Sequence, residues 1–367
     1  MNLEQKANAI LEGGNEGAEV LAAVHDFCGR FIAYPDANCQ IAHTLWIAHT
    51  HTLDAFESTP RLAFLSPEPA SGKSRALEVT GLLVPNPVES VNSTEAFLLR
   101  RIGTQENRPT VLFDEVDAIF GPLAKPNEGL RALLNAGHRA NAKVGRCIGN
   151  DHKPEEISAY AAVALGGLGD LPDTVMTRSV VIRMKRRAPH QQIEPFRYKR
   201  HALEAQAHHD ALVRWTQSIS AEIDGADPHM PLEDRPADVW LPLIALADAA
   251  GGDWPSKARS AAIALVKQSS ESSPSLGIAL LHDTRTVFRD QPAMFTADLI
   301  KGLHLLDESP WAARALDARG LASHLKQYGI QPRQIRVGEN NGRGYRALDL
   351  ADAWQRYCSE KRPQLAA

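Results

Sequence analysis

Cysteine is scarce and scattered in this 367-residue chain: Cys28, Cys39, Cys147 and Cys358, with no CxxC pair. That spacing excludes a zinc finger or ribbon and a disulfide framework, and it reads as reduced thiols. No stretch approaches ~20 uninterrupted apolar residues, so no membrane span is expected. The N-terminus, MNLEQKANAILEGG, lacks a basic start followed by an apolar run, which argues against a signal peptide and for a cytoplasmic location. An excess of positive charge is missing too. With a formal net charge of -4, any nucleic-acid contact has to be a local basic patch. Long repeats and low-complexity tracts are absent.

What is present suffices for a buried core: 44% of residues are hydrophobic, in a length that suggests two or three domains. Residues 1–58 read as helical, from Ile10, Val20, Leu21, Val24, Phe27 and Phe31 to Ile41, Leu45 and Ile47, with a break at Tyr34-Pro35-Asp36. His43, His49 and His51 share no good helix face and have no acidic partner at metal-ligand spacing, so they read as structural. From Arg61 the pattern becomes α/β. The apolar runs 62–65, 88–91, 110–113, 161–165 and 180–184 alternate with helical segments, which predicts a parallel sheet covered on both faces. Residues 199–270 are again helical with a break at Gly225–Pro228. The polar run 269–274 reads as a linker to a small unit at 275–367. Trp215, Trp240 and Trp254 read as packing residues.

Chemistry concentrates in two motifs. In the first, the strand Leu62–Leu65 runs into Ser66-Pro67-Glu68-Pro69-Ala70-Ser71-Gly72-Lys73-Ser74 and a helix. Backbone N–H groups at such a helix start cradle phosphates. The binding loop comprises Pro69, Ala70, Ser71, Gly72, Lys73, Ser74 and Arg75, with Lys73 on the β- and γ-phosphates and the Ser74 hydroxyl on Mg²⁺. Pro67 stands where the usual loop has its first glycine, so the first turn must differ. In the second motif, the strand 110–113 ends in Asp114-Glu115. Asp114 is assigned to Mg²⁺ and Glu115 to the attacking water. A lone GKS recurs by chance and a lone acidic strand end is commonly a solvated turn; the two in this order predict ATP binding and hydrolysis. A third element places Arg178 just before the last core strand. There it reads either as an arginine finger reaching a neighbour's γ-phosphate or as a surface arginine near Asp170 and Asp173. The preceding strand ends Leu165-Gly166-Gly167-Leu168, without the usual polar sensor. Asp170 or Thr174 takes that part, or the sensor is absent.

Strand–loop–GKS, strand–Asp–Glu and an arginine before a final strand resemble the AAA+ ring ATPases and are similar to the superfamily-three helicases of viruses and plasmids. More narrowly, the chain resembles domain-of-unknown-function family 3631 of actinobacterial phages, plasmids and prophages. The segments that carry the likeness are 44–50, 66–74, 112–117, 134–139, 169–174, 178–183, Asp234-Arg235 with Asp238, and 240–243. The resemblance implies a P-loop AAA+ core at 59–198 (a parallel sheet flanked by helices), a helical lid at 199–270, a homo-oligomeric ring, expected as a hexamer, and a replication role on single-stranded or forked DNA. A primase or polymerase is among the implied partners. Arg235, in the lid, reads as a second γ-phosphate sensor or as a helix-start ion pair with Asp234 or Asp238.

Three basic places compete for DNA. Lys143, Arg146 and Lys153 flank a hairpin expected around Asn150–Pro154, of the kind that grips a backbone in a ring channel. The run Arg183, Lys185, Arg186, Arg187, Arg197, Lys199 and Arg200 reads as a solvated or inter-subunit surface, with contact to the nucleotide as the alternative. The third place is the C-terminal unit. Helices near 299–306 and 318–328, strands 334–337 and 344–348 joined by Gly338–Gly342 with Asn341-Gly342 as its turn signal, and a helix at 351–357 make a winged-helix-like layout. Lys326, Arg333, Arg336, Arg343 and Arg346 read as its phosphate contacts, the alternative being a protein-interaction module. The leading expectation is an ATP-driven DNA helicase or translocase. A loader or initiator that remodels a partner or origin DNA, and a non-enzymatic DNA-binding regulator, are the rivals.

Overall fold

A computed structural model describes residues 16–90, 95–104, 108–116, 120, 128–148, 153–189, 191–272, 276–306, 310–312 and 314–358. Ile10, Val91, Asp117, the hairpin turn at 149–152 and the end of the expected linker at 273–274 lie outside the described residues. Contacts divide the chain into two compact units, Met1–Val266 and Lys267–Ala367.

The first unit opens with α1 (Glu16–Phe31), which buries Leu21, Val24, Phe27, Cys28 and Phe31 at helical spacing and carries Glu16 and Glu19 in its first turn, where the dipole favours acids. After the expected break, Asp36 caps α2 (Ala37–Thr50) by accepting from the Cys39 N–H at 3.0 Å. Every residue from Ile41 to Thr50 is buried.

Five strands then build one sheet: β1 (Arg61–Ser66), β2 (Pro87–Ser90), β3 (Thr110–Phe113), β6 (Val163–Leu168) and β7 (Ser179–Arg183), in spatial order β2-β3-β6-β1-β7 and all parallel. The remaining β4 (Lys143–Ile148) and β5 (Lys153–Ser158) form a separate antiparallel hairpin. Alternation along β1 shows why both sheet faces are covered. Leu62 and Phe64 join the cluster built with α1, α2 and the later helices, whereas Ala63 and Leu65 join the cluster on the opposite face. The helices of this unit are α3 (Lys73–Gly81), α4 (Glu95–Gly103), α5 (Glu128–Ala136), α6 (Asp173–Met176), α7 (Tyr198–Ser218), α8 (Ser220–Ile223), α9 (Asp234–Ala250) and most of α10 (Trp254–Ser272). The polar run 269–272, expected as linker, continues α10 instead. Serines tolerate a helix that is already propagating.

The three histidines of the second helical stretch are held by neutral groups. Nδ1 and Nε2 of His43 face Tyr34 Oη at 2.6 Å and Thr80 Oγ1 at 2.8 Å. His49 Nε2 faces Thr59 Oγ1 at 2.9 Å, and His51 Nε2 lies 2.8 Å from the Leu83 carbonyl. Burial disfavours the imidazolium and lowers His43 and His49 to about 3 and His51 to about 4, from an ordinary 6.5. The unfolded chain therefore binds protons below pH 6.5 that the folded chain refuses, so stability falls as pH drops from 6.5. Each histidine is expected to remove roughly 1.4 kcal/mol per pH unit. Denaturant midpoints measured from pH 7.5 to 5 should decline steeply, and His43→Gln should flatten the slope. A midpoint independent of pH would refute this assignment.

The second unit contains α11 (Leu276–Phe288), β8 (Ala293–Phe295), α12 (Thr296–His304), α13 (Ala318–Lys326), β9 (Arg333–Val337), β10 (Asn340–Arg346) and α14 (Ala347–Tyr357). Its sheet is antiparallel in the order β8-β10-β9, over a core that includes Leu281, Trp311, Leu321 and Tyr345. The hairpin turn is not Asn341-Gly342. Val337 pairs with Asn340, so Gly338-Glu339 is the two-residue turn, with Gly338 at φ 62°. Glycine at the first central position suits such a turn. The resulting register places Gly342 beside Ile335 and Tyr345 beside Met294, where Ile335 and Tyr345 are buried. An Asn341-Gly342 turn would have shifted that pairing. The last helix starts at Ala347, earlier than the expected 351.

Candidate functional site

The loop after β1 and the end of β3 both lie at the C-terminal edge of the parallel sheet, the edge where open α/β sheets hold ligands. Between them runs β6: Ser66 is in register with Leu168, and Phe113 with Leu165. Two strand spacings, about 10 Å, separate β1 from β3 across the sheet.

Ser66 organises the loop. Its hydroxyl donates to the Glu68 carbonyl at 2.6 Å and accepts from Ser71 Oγ at 2.8 Å and from Lys73 Nζ at 2.5 Å. Lys73 also lies 3.2 Å from Ser71 Oγ and 3.4 Å from the Glu68 carbonyl. These contacts are the different first turn that Pro67 demands, since proline offers no N–H to the loop. Ala70 (φ 60°) and Gly72 (φ 86°) are left-handed, and Gly72 caps α3 without any side-chain hydrogen bond. The N–H groups of the first helical turn thus start without a side-chain acceptor, as anion sites require. Ser74 is exposed at that turn. The Arg75 guanidinium is taken up by Glu78 and by the face of Phe196, 4.7 Å away, so Arg75 contributes its backbone. Arg186, read from sequence as a solvated or inter-subunit residue, donates to the Pro69 carbonyl at 3.2 Å and pairs with Glu68 at 3.5 Å. It belongs to the loop.

At the end of β3, Asp114 Oδ1 accepts from the Glu115 N–H at 3.0 Å, and the Val116 N–H donates to the Gly166 carbonyl at 2.9 Å. Glu115 is exposed in the left-handed region at φ 58°, a conformation that costs a residue with a Cβ about 1–2 kcal/mol. Strain of this kind concentrates at functional sites. Gly166 is a site residue that sequence reasoning passed over as a missing sensor. A Cβ there would lie 3.1 Å from Asp114 Oδ1 and 2.9 Å from Leu77 Cδ1, so glycine lets the carboxylate lie against β6. The Gly166-Gly167 pair was the available signal. Ser74 and Asp114 are hard oxygen donors, and that donor set fits Mg²⁺. Of the two alternative sensors, Asp170 pairs with Arg183 at 2.7 Å, and the Thr174 carbonyl accepts from Arg178.

Arg178 sits at the opposite edge. Its carbonyl accepts from the Arg61 N–H at 2.9 Å, at the start of β1. Ser66 is a strand length away, about 17 Å at the usual rise. Arg235 is also there, donating to Thr177 Oγ1 at 3.1 Å. Arg235, read as a γ-phosphate sensor or a helix-start ion pair, therefore lies a strand length from the Lys73 loop of its own chain. It begins α9, whose start is docked at the N-terminal end of β7. No ion pair with Asp234 or Asp238 holds it among the described residues.

The basic places divide. Lys143 Nζ pairs with Glu156 at 2.9 Å across the hairpin, which holds the Glu156 carboxyl below its usual range, and Arg146 is in register with Glu155. A hairpin is present, but its second strand is Lys153–Ser158 and not the expected 157–160, so Lys153 and Pro154 lie in the strand and not in the turn. In the second unit, the β9–β10 register places Arg336 and Arg343 on one face of the hairpin and Arg333 and Arg346 on the other. Arg333 lies 3.6 Å from Asp349, and Lys326 is exposed at the end of α13. Among the described residues no helix is long and apolar enough to cross a membrane, and no His, Cys, Asp and Glu group is arranged to hold a metal ion.

A family model described as a protein of unknown function, DUF3631, matches residues 183–357. An uncharacterized 28.9 kDa protein in the xis 5′ region of Saccharopolyspora erythraea is 37% identical over 182 residues, covering 48% of this chain and 69% of that protein. A solved chain described as the A form apo structure of the NrS-1 C-terminal region aligns over 90% of this chain and 74% of its own, at 12% identity and a TM-score of 0.39. Likeness at that level supports no argument. The family match begins at Arg183, so Lys73, Asp114 and Glu115 lie outside it and rest on their own geometry.

Proposed function

Because the chain belongs to the DUF3631 family, whose description assigns no activity, we propose its function from the site itself: Mg²⁺-dependent ATP hydrolysis that drives a DNA helicase or translocase. The observation that carries this reading is the pair of motifs at one sheet edge, flanking β6, with Glu115 in a left-handed conformation beside the half-buried Asp114. Lys73 and the N–H groups of Ser71 to Arg75 bind the triphosphate. Ser74 and Asp114 hold Mg²⁺, which when bound neutralises phosphate charge. Glu115 orients the attacking water and accepts its proton. Arg178, far from its own Lys73, completes the site of a neighbouring copy, which implies a ring, proposed here as a hexamer. The second unit's order of helices and its three-stranded sheet support a winged-helix module whose Lys326, Arg333, Arg336, Arg343 and Arg346 meet DNA phosphates. The relative's position 5′ of xis supports a mobile-element setting, where a primase or polymerase is a natural partner.

The Lys143–Glu156 pair favours a second reading, an ATP-dependent loader or initiator, because it removes a free cation from the hairpin that a motor would use as its grip. ATP turnover should be measured with and without single-stranded DNA, followed by displacement of a labelled strand. Turnover raised several-fold by DNA together with displacement supports the motor. Stimulation without displacement moves the assignment to the loader, and no turnover refutes both.

A further inference from the structure

Four cationic side chains and one imidazole collect at the N-terminal edge of the sheet, opposite the Lys73 loop. The Thr59 N–H donates to the His138 carbonyl at 2.8 Å, and Ser58 bridges Arg139. Arg61 lies 2% exposed, with its guanidinium on the Ala161 and Leu134 carbonyls at 2.5 and 3.1 Å. Arg178 follows at the start of β7, and Arg235 reaches Thr177 beside it. Arg139 and Arg235 are exposed and Arg178 is half-buried. Among the described residues, no carboxylate pairs with Arg139, Arg178 or Arg235. Asp173 and Asp234 are close in sequence, but neither forms an ion pair with them.

Such a cluster is self-repelling. Burial lowers Arg178 from the usual guanidinium range, and the charges of Arg235 and Arg139 lower it further. Burial lowers His138 to about 4, with Arg61, Arg178 and Arg139 adding to the effect. Like charges at one point are relieved by a compact polyanion. A duplex or single strand spreads its phosphates along a line and asks for a stripe of cations; these three arginines converge on Arg178 instead. The chain's own Lys73 loop is a strand length away.

We propose that Arg139, Arg178 and Arg235 act together as the trans half of the nucleotide site, receiving the terminal phosphates of ATP bound by Lys73 of a second copy. This rests on the ring ATPase reading above and extends it: the lid arginine serves the neighbour's nucleotide, not its own. Arg178 reaches the γ-phosphate. Arg139 and Arg235 share the phosphate charge, and the Thr174 carbonyl anchors the Arg178 guanidinium. Arg61 stays inside as the buried support.

Mixing experiments test this directly. Arg235→Gln and Arg139→Gln, both at exposed positions, should each lower kcat at least about tenfold with little change in ATP affinity. Each variant is then assembled one-to-one with Lys73→Ala. If the arginine acts in trans, interfaces that combine the intact Lys73 of one subunit with the intact arginine of the next are rebuilt, and about a quarter of wild-type turnover returns. Recovery also shows that the variant subunits fold and assemble. Arg178→Ala mixed with Lys73→Ala is the control for the underlying reading. Recovery with Arg178→Ala but not with Arg235→Gln or Arg139→Gln overturns this proposal and leaves the ring ATPase standing. Recovery with none of the three overturns both. Wild-type turnover in unmixed Arg235→Gln and Arg139→Gln also overturns it. Arg235→Lys, which keeps charge and loses the fork, should recover only part of the activity.

Discussion

Glu115→Gln is expected to bind ATP with near-normal affinity and to hydrolyse it about 10³-fold more slowly. The amide keeps the shape and the hydrogen-bonding reach of the carboxylate but cannot take the proton of the attacking water. The loss should appear in kcat, with KM and nucleotide Kd nearly unchanged, because a residue acting in the transition state contributes little to ground-state binding. The backbone offers an independent check. Glu115 sits at φ 58°, at a cost of about 1–2 kcal/mol that Glu115→Gly would relieve. Glycine gives back about 0.5–1 kcal/mol through the entropy of the unfolded chain. The glycine variant should therefore melt at or slightly above the wild-type temperature while losing turnover. A large fall in stability would mean that Glu115 is structural, and normal turnover in Glu115→Gln would remove it from the mechanism.

Lys73→Ala should abolish measurable turnover, a loss of at least about 10³-fold, and should weaken ATP binding as well. Under the proposed mechanism Lys73, unlike Glu115, meets phosphate charge in both the ground and the transition state, so both parameters should move. The change removes its contacts to Ser66, Ser71 and the Glu68 carbonyl, all within one loop. Ser66 and Ser71 keep their mutual hydrogen bond of 2.8 Å without the ammonium. Nucleotide binding followed by a fluorescent ATP analogue, with thermal melting as the folding control, separates the outcomes. Unchanged ATP affinity would show that the loop is not the phosphate site. A collapsed melting temperature would show that Lys73 holds the loop together, and Lys73→Met then tests the charge with much of the stem retained.

The sequence by itself determined the strands of the parallel sheet and the two chemical motifs, because both are local. Buried strands such as 62–65 and 110–113 are continuous apolar runs, and the Asp36 cap and the Lys73 loop are set by residues within a few positions of each other. It also made the hairpin of the second unit legible, although it misplaced the turn. The signal of Asn341-Gly342 is purely local, whereas the register was decided by burying Ile335 and Tyr345. The helical continuation through 269–272 was hidden for a similar reason: composition there is polar, and only the helix already running from Trp254 carries it on.

Only the tertiary structure decided which charges meet. Arg178 and Arg235 are 57 positions apart, and nothing in their spacing says that α9 starts beside Thr177. Lys143, read as a phosphate contact, meets Glu156 across the hairpin, a partner that only the strand pairing brings within reach. Arg186 became part of the Lys73 loop because β7, lying next to β1, ends at the same edge of the sheet. Parallel strands place every β1-to-loop feature at one edge and every residue that precedes a strand at the other. That geometry separates Lys73 from Arg178 by a strand length, which is why the proposed trans site calls for a second copy.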